Sequence, residues 1–187
     1  MTLEAMKKKV LGLIEELNPD SQVLTDDPDI ATKIDNVINQ VMFELARIKK
    51  LPRFIGDVEG GEGETFDFDR LEMLCGNPVY QITKVSGVAY EYKADGTVIK
   101  FSENGLAEIE VYVYPTYITD ENKDSYSFEL SPDVLEVMPY GVAADLLKSD
   151  VSTNYGKIYA ERYESMLQRL EIRYVSGGIN YFGGVLI

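Results

Sequence analysis

The chain has 187 residues, of which 45% are hydrophobic and 27% charged, and these are ordinary values for one compact globular domain, with or without a subdomain, around a buried core. It contains no histidine and one cysteine, which excludes histidine-based acid–base chemistry, Ser-His and Cys-His nucleophile pairs, an internal disulfide and a thiolate metal cluster. The net charge of −14 repels nucleic acid and anionic membranes. We therefore expect no enzyme, no cofactor and no bound metal.

No segment is predicted to direct the chain to a membrane. The apolar run at residues 10–14 is too short for a signal peptide and meets Glu15 and Glu16 directly. Glu136 and Asp145 interrupt the most apolar predicted helix, which therefore falls short of a transmembrane span. We expect a soluble protein made in a reducing cytosol.

Two amphipathic helices are predicted at the start of the chain. The first has apolar residues at helical spacing from Leu3 to Leu17 and ends at Asn18-Pro19-Asp20. The second begins with Asp27 as its cap and Pro28 in its first turn, and Leu51-Pro52 closes it. Its apolar stripe consists of Ile30, Ile34, Val37, Ile38, Val41, Met42, Leu45 and Ile48.

The middle of the chain changes to the period of β-strands. Residues 56–64, rich in Gly and Glu, predict a flexible loop, and Asp95-Gly96 predicts a hairpin turn because both residues tolerate positive φ angles. In the last strand the alternation predicts one buried face and one solvated face, as in an antiparallel meander. The predicted strands are residues 65–69, 79–85, 88–93, 98–102 and 108–114.

Two further helices and a tail complete the prediction. Ser131 is expected to cap the third helix and Ser152 or Thr153 the fourth, while Gly141 allows a neighbouring helix to approach closely. The predicted fold class is α+β, a helical bundle of about four helices with an inserted small antiparallel β-sheet and an extended C-terminal tail. The bundle comprises residues 1–54 and 131–174, the β-rich insertion residues 55–130, and the C-terminal arm residues 175–187.

The C-terminal tail is the first candidate binding site. Its apolar and aromatic residues lie between Gly-Gly pairs, as expected of an arm that docks on a partner, although a terminal strand that folds back on its own sheet is the alternative. Tyr181 and Phe182 are the expected anchors. The candidate partner-binding residues are Gly177, Gly178, Ile179, Tyr181, Phe182, Gly183, Gly184, Val185, Leu186 and Ile187.

Tyrosines on the predicted sheet are a second candidate partner-binding face, with packing in the core as the alternative. They are Tyr90, Tyr92, Tyr112, Tyr114 and Tyr117. Two groups of acidic residues are not expected to bind metal. Helix capping accounts for Asp26, Asp27 and Asp29, and alternation with phenylalanine in a strand accounts for Asp67 and Asp69.

The helical pair at residues 131–170, SPDVLEVMPYGVAADLLKSDVSTNYGKIYAERYESMLQRL, resembles the closing helices of head–tail connector proteins of tailed bacteriophages, which are also called adaptor or head-completion proteins. Residues 139–147 stand at the positions of an apolar helix in that family. Tyr155, Tyr159, Tyr163 and Leu170 stand at the positions of the Tyr-rich helix that follows. The N-terminal helix pair and the β insertion also fit the family's plan.

The resemblance implies a structural protein of the virion neck, assembled in the cytoplasm of a bacterial host. Copies of the chain would form a ring, usually a dodecamer, that joins the portal vertex to the tail. The implied partners are the portal protein, other neck or tail proteins and further copies of the chain, with no membrane. Viral DNA would pass through the channel without specific binding, and the C-terminal arm would dock on the portal. The alternative is an acidic stand-alone binding module that mimics DNA or binds another protein.

Overall fold

The computed structural model describes residues 1–18, 24–49, 51–148 and 154–175, and of these only the backbone at positions 52, 54, 94 and 171–175. The chain divides into two compact units. The helical unit consists of Met1–Val41 and Ser131–Ile187, and the β unit consists of Met42–Leu130.

The helical unit is built from α1 (Leu3–Leu13), the first part of α2 (Pro28–Ile48), α4 (Pro132–Leu146) and α5 (Tyr155–Val175). Helix α4 packs against both α1 and α5. It is central because its side chains are buried on most faces. The buried side chains of this unit include Met6, Val10, Leu11, Ile34, Ile38, Val134, Met138, Val142, Tyr163 and Leu170.

The first residues of the helices can be compared with the predicted N-caps. The Asp27 carboxylate accepts hydrogen bonds from the backbone N–H groups of Asp29 (2.8 Å) and Ile30 (3.2 Å), so its predicted capping role is confirmed. Ser131 occupies the N-cap position of α4, but its side chain makes no capping hydrogen bond, and that part of the prediction is wrong. Ser152 and Thr153 lie outside the described residues.

The β unit contains the second part of α2, six strands and a short helix. Two three-stranded antiparallel sheets form, with strand orders β1-β6-β3 and β2-β5-β4. The strands are β1 (Leu51–Gly60), β2 (Thr65–Phe66), β3 (Val79–Ser86), β4 (Tyr90–Lys93), β5 (Val98–Phe101) and β6 (Gly105–Val113), and the short helix is α3 (Phe68–Cys75).

The predicted bundle of about four helices with a single inserted sheet is wrong, because the described residues form five α-helices and two small sheets. Of the strand predicted at residues 65–69 only Thr65–Phe66 forms, as β2, and α3 begins at Phe68. Asp67 does not alternate on a strand but caps α3, accepting from the N–H of Arg70 at 3.0 Å, and Gly76 ends the helix in the left-handed conformation. Most of the predicted loop at residues 56–64 belongs to β1 instead.

Two predictions for the strands are confirmed. Asp95 and Gly96 have φ angles of 56° and 86° in the turn between β4 and β5, as the Asp-Gly pair requires. In β6 the side chains that alternate toward the core are fully buried, and these are Ala107, Ile109, Val111 and Val113. The opposite face of β6 carries Tyr112, one of the aromatic residues described next.

Candidate protein-docking site

A row of aromatic rings lies near the end of β6. The ring of Tyr114 lies 5.2 Å from that of Phe43, in an edge-to-face arrangement, and 4.7 Å from that of Tyr80. Tyr112 extends the row beyond Tyr80 at 6.2 Å, and Tyr117 stacks on Phe43 at 5.7 Å. These separations are those of favourable aromatic pairs. The row therefore joins the end of α2 to two strands of the β1-β6-β3 sheet.

Hydrogen bonds fix the end of α2 within the β unit. The hydroxyl of Tyr80 donates to the carbonyl oxygen of Ala46 at 3.2 Å. The hydroxyl of Tyr126 donates to the carbonyl oxygen of Thr116 at 2.5 Å and lies 3.2 Å from the sulfur of Met42. Burial and the nearby carboxylate of Glu129 raise the pKa of Tyr126 to about 12, so this hydroxyl keeps its proton at neutral pH.

An open groove of about 750 Å³ lies beside the row, and we call it the aromatic groove. Its volume is within the range of small-molecule and peptide pockets. The N–H of Tyr114 donates to the carbonyl oxygen of Pro78 at 2.8 Å, which joins two of its walls. The lining residues are Phe43, Glu44, Arg47, Ile48, Pro78 and Tyr114, and their exposed surface is mostly apolar.

The groove carries one charge of each sign. Glu44 and Arg47 are both exposed, and neither forms an ion pair within the described part of the chain. The two charges cancel, so the groove is locally neutral in a chain of net charge −14. A neutral, aromatic concave surface is chemically suited to an uncharged peptide segment with aromatic side chains.

The structure brings together only part of the predicted tyrosine face. Tyr112, Tyr114 and Tyr117 belong to the aromatic row, whereas Tyr90 and Tyr92 form a separate edge-to-face pair, 5.2 Å apart, on the β2-β5-β4 sheet. Sequence reasoning missed Phe43 and Tyr80. Phe43 offered a signal, because it is a large aromatic residue beside the apolar stripe of α2 and not within it.

A smaller apolar pocket of about 360 Å³ occurs in the helical unit. Near it the hydroxyl of Tyr159 donates to the carbonyl oxygen of Leu13, and burial raises the pKa of this tyrosine. On α5, Tyr155 and Ile158 are 58% and 54% exposed. The pocket is lined by Lys9, Leu13, Glu136, Pro139, Tyr140 and Met166.

A polar hollow of about 630 Å³ lies where β1 ends and β6 begins. One oxygen of Glu64 accepts from the N–H of Gly61 at 2.8 Å, and the other lies 2.6 Å from the guanidinium of Arg70. These two interactions, the backbone hydrogen bond first, lower the pKa of Glu64. The guanidinium also lies 3.9 Å from the centre of the Phe66 ring. Both oxygens of the Glu64 carboxylate therefore stabilise the loop between β1 and β2.

The predicted partner-binding residues of the tail, Gly177, Gly178, Ile179, Tyr181, Phe182, Gly183, Gly184, Val185, Leu186 and Ile187, lie outside the described residues. Within the described ranges no three acidic or cysteine side chains are grouped as metal ligands would be. None of the described helices combines the length and the apolar character of a membrane span. The chain matches no protein-family model and no curated protein sequence. Any function must therefore be argued from its own residues.

Proposed function

We propose that this chain is a structural subunit of the neck of a tailed bacteriophage, where a ring of copies joins the portal vertex to the tail. The class of protein is inferred from the resemblance of residues 131–170 to the closing helices of head–tail connector proteins. Its support among the described residues comes from surfaces suited to binding other proteins.

The aromatic groove is the observation that carries the proposal. Apolar concave surfaces that remain open on an isolated chain commonly mark protein interfaces, and aromatic residues are enriched there. Tyr117, which stacks on Phe43 at the end of the aromatic row, is 49% exposed. The exposed Tyr155 and Ile158 on α5 add a second apolar surface. A subunit of a ring needs such surfaces toward more than one neighbour.

The acidic composition fits a protein that surrounds DNA without binding it. A channel wall with excess negative charge repels phosphate and lets the duplex slide. The uncharged C-terminal residues would be the contact with the portal, since a segment without charges is desolvated at lower cost than a charged one.

The proposal is tested with the full chain and the portal protein of the same virus. We expect the two to copurify, and the mass of the complex to correspond to a ring of the chain on the portal. Replacement of Val185 and Leu186 by serine in the full chain should release it from the portal. Leu106→Ser, which changes a leucine that is 57% exposed on β6, is the matched control and should leave binding intact. A chain that never associates with the portal overturns the proposal.

A further inference from the structure

We propose that the aromatic stretch of one copy's tail, residues 179–182, binds in the aromatic groove of a second copy. This inference names a partner for the tail and rests on the proposed role of the chain as an assembly subunit. It leaves residues 185–187 as the part of the tail available to the portal.

The composition of the tail matches the groove. Residues 174–187 form the longest stretch of the chain without a charged side chain. Within it, Tyr181 and Phe182 are adjacent and lie between two Gly-Gly pairs, which allow the backbone to follow a curved surface. Aromatic side chains provide much contact area with few rotatable bonds, so their binding costs little conformational entropy.

The groove is built to receive such side chains. Two of its walls, Phe43 and Tyr114, are half-buried rings fixed edge to face, and an entering ring adds a further aromatic contact. The hydrogen bonds from Tyr80 to Ala46 and from Tyr114 to Pro78 hold the helix end and the strands in place. Because these walls are fixed before a ligand arrives, binding has little conformational entropy cost for ordering them.

Electrostatics favour this pairing between copies. Two chains that each carry a net charge of −14 repel one another, and the repulsion is weakest where neither surface has an excess of acidic groups. The groove balances Glu44 with Arg47, and the tail has no charged side chain. The two surfaces therefore meet without desolvating an unbalanced charge.

The experiment uses the full chain with a photoreactive phenylalanine analogue in place of Phe182. This unlabelled chain is mixed with an equal amount of wild-type chain labelled with ¹⁵N, and crosslinked peptides are identified by mass spectrometry. We expect crosslinks to labelled peptides that contain Phe43, Pro78 or Tyr114. Crosslinks confined to peptides of the same unlabelled chain, or to labelled peptides outside the groove, overturn the inference.

A pair of matched variants tests the groove itself. Pro78→Glu places an extra negative charge on an exposed wall of the groove and retains the carbonyl oxygen that accepts from Tyr114. We expect it to lower the yield of crosslinks between copies by about tenfold. Pro132→Glu makes the same change at the exposed first position of α4 and should leave the yield unchanged.

The outcomes separate this inference from the proposed function. An unchanged yield in Pro78→Glu overturns the inference, and the crosslink map of the wild-type groove decides the question if this variant does not fold. If the chain binds the portal but gives no crosslinks between copies, the inference is wrong and the proposed function stands. If crosslinks form in the groove but the chain never binds the portal, the proposed function is wrong and the binding between copies stands.

Discussion

The ring of Tyr163 on α5 lies directly against Gly141 on α4, where an added Cβ would come within 2.8 Å of the ring atom Cε2 and 3.0 Å of Val41 Cγ1. The sequence predicted a close helix approach at Gly141, and this contact confirms it. Tyr163 is buried, so its ring cannot move aside without displacing other core side chains.

Gly141→Ala is therefore expected to destabilise the helical unit. Overpacking costs about 1–3 kcal/mol, while the better helix propensity of alanine offsets about 1 kcal/mol, which leaves a net loss of up to about 2 kcal/mol in the free energy of unfolding. Urea denaturation measures the loss. Gly12→Ala in α1 is the control, because nothing lies within 4 Å of the added Cβ, and it should be neutral or stabilising by up to about 1 kcal/mol. A stabilised Gly141→Ala variant would contradict the packing described.

Gly87 and Gly76 form a second matched pair, since both have positive φ angles, of 90° and 77°. A Cβ at Gly87 would lie 2.5 Å from the carbonyl oxygen of Leu106, whereas nothing lies within 4 Å of one at Gly76. Gly76→Ala should cost about 1–2 kcal/mol for its left-handed backbone. Gly87→Ala should cost about 2 kcal/mol more, because a backbone atom blocks the new methyl group. Equal losses in urea denaturation would refute the steric part of the argument.

Removal of the Tyr126 hydroxyl is expected to loosen the chain around the end of α2. Tyr126→Phe leaves the Thr116 carbonyl oxygen without this donor, and should reduce the free energy of unfolding by about 1–2 kcal/mol at neutral pH. Tyr126 is only 6% exposed, so water does not readily replace the lost bond. Tyr117→Phe, at a tyrosine that is 49% exposed, should change stability by less than about 0.5 kcal/mol.

The same tyrosine predicts a dependence of stability on alkaline pH. Its folded-state pKa is raised to about 12 from 10.0, so its contribution is complete below the unfolded pKa and is lost as pH rises through that interval. The unfolded chain releases the phenolic proton first, and each pH unit there lowers stability by at most about 1.4 kcal/mol relative to Tyr126→Phe. Denaturation of both proteins across this interval measures the difference. Parallel pH profiles would show that the hydroxyl is not held in its neutral form.

Arg70 is predicted to contribute to the lowered pKa of Glu64. In Arg70→Ala the pKa of Glu64 should rise, yet stay below its ordinary value because the N–H of Gly61 still donates. A carboxyl chemical-shift titration measures this directly. Because the folded-state pKa is lowered, the contribution of Glu64 to stability is present above its unfolded pKa and is lost as pH falls through its folded pKa. Lys93→Ala, which removes the partner of Glu91, should leave the titration of Glu64 unchanged.

Local chemistry predicted some elements of this fold well. The Asp27 cap, the Asp-Gly turn and the alternation in β6 each depend on neighbouring residues, and each was confirmed. Helix α3 was missed because Phe66, Asp67, Phe68 and Asp69 alternate with the period of a strand. The same segment also carries helix signals, an N-cap at Asp67 and a terminating glycine at Gly76, and the structure forms the helix.

The aromatic groove was beyond what the sequence alone could predict. Tyr80 lies in β3 and Tyr114 directly follows β6, and β6 pairs with both β1 and β3, an order that periodicity does not specify. The position of Phe43 beside them depends on where the end of α2 packs, which is a tertiary property. The sequence identified three members of the row as a candidate face but not the concave surface that they help to form.

The division of the chain also determines the order in which its parts can fold during synthesis. The β unit is a single continuous stretch, Met42–Leu130, whereas the helical unit combines Met1–Val41 with Ser131–Ile187. A ribosome adds about 5–20 residues per second, and a unit generally folds once all of its residues have been synthesised. The β unit can therefore fold while α1 still lacks α4, its packing partner. During that interval the apolar face of α1 is exposed, and this is the stage at which a chaperone would protect the nascent chain.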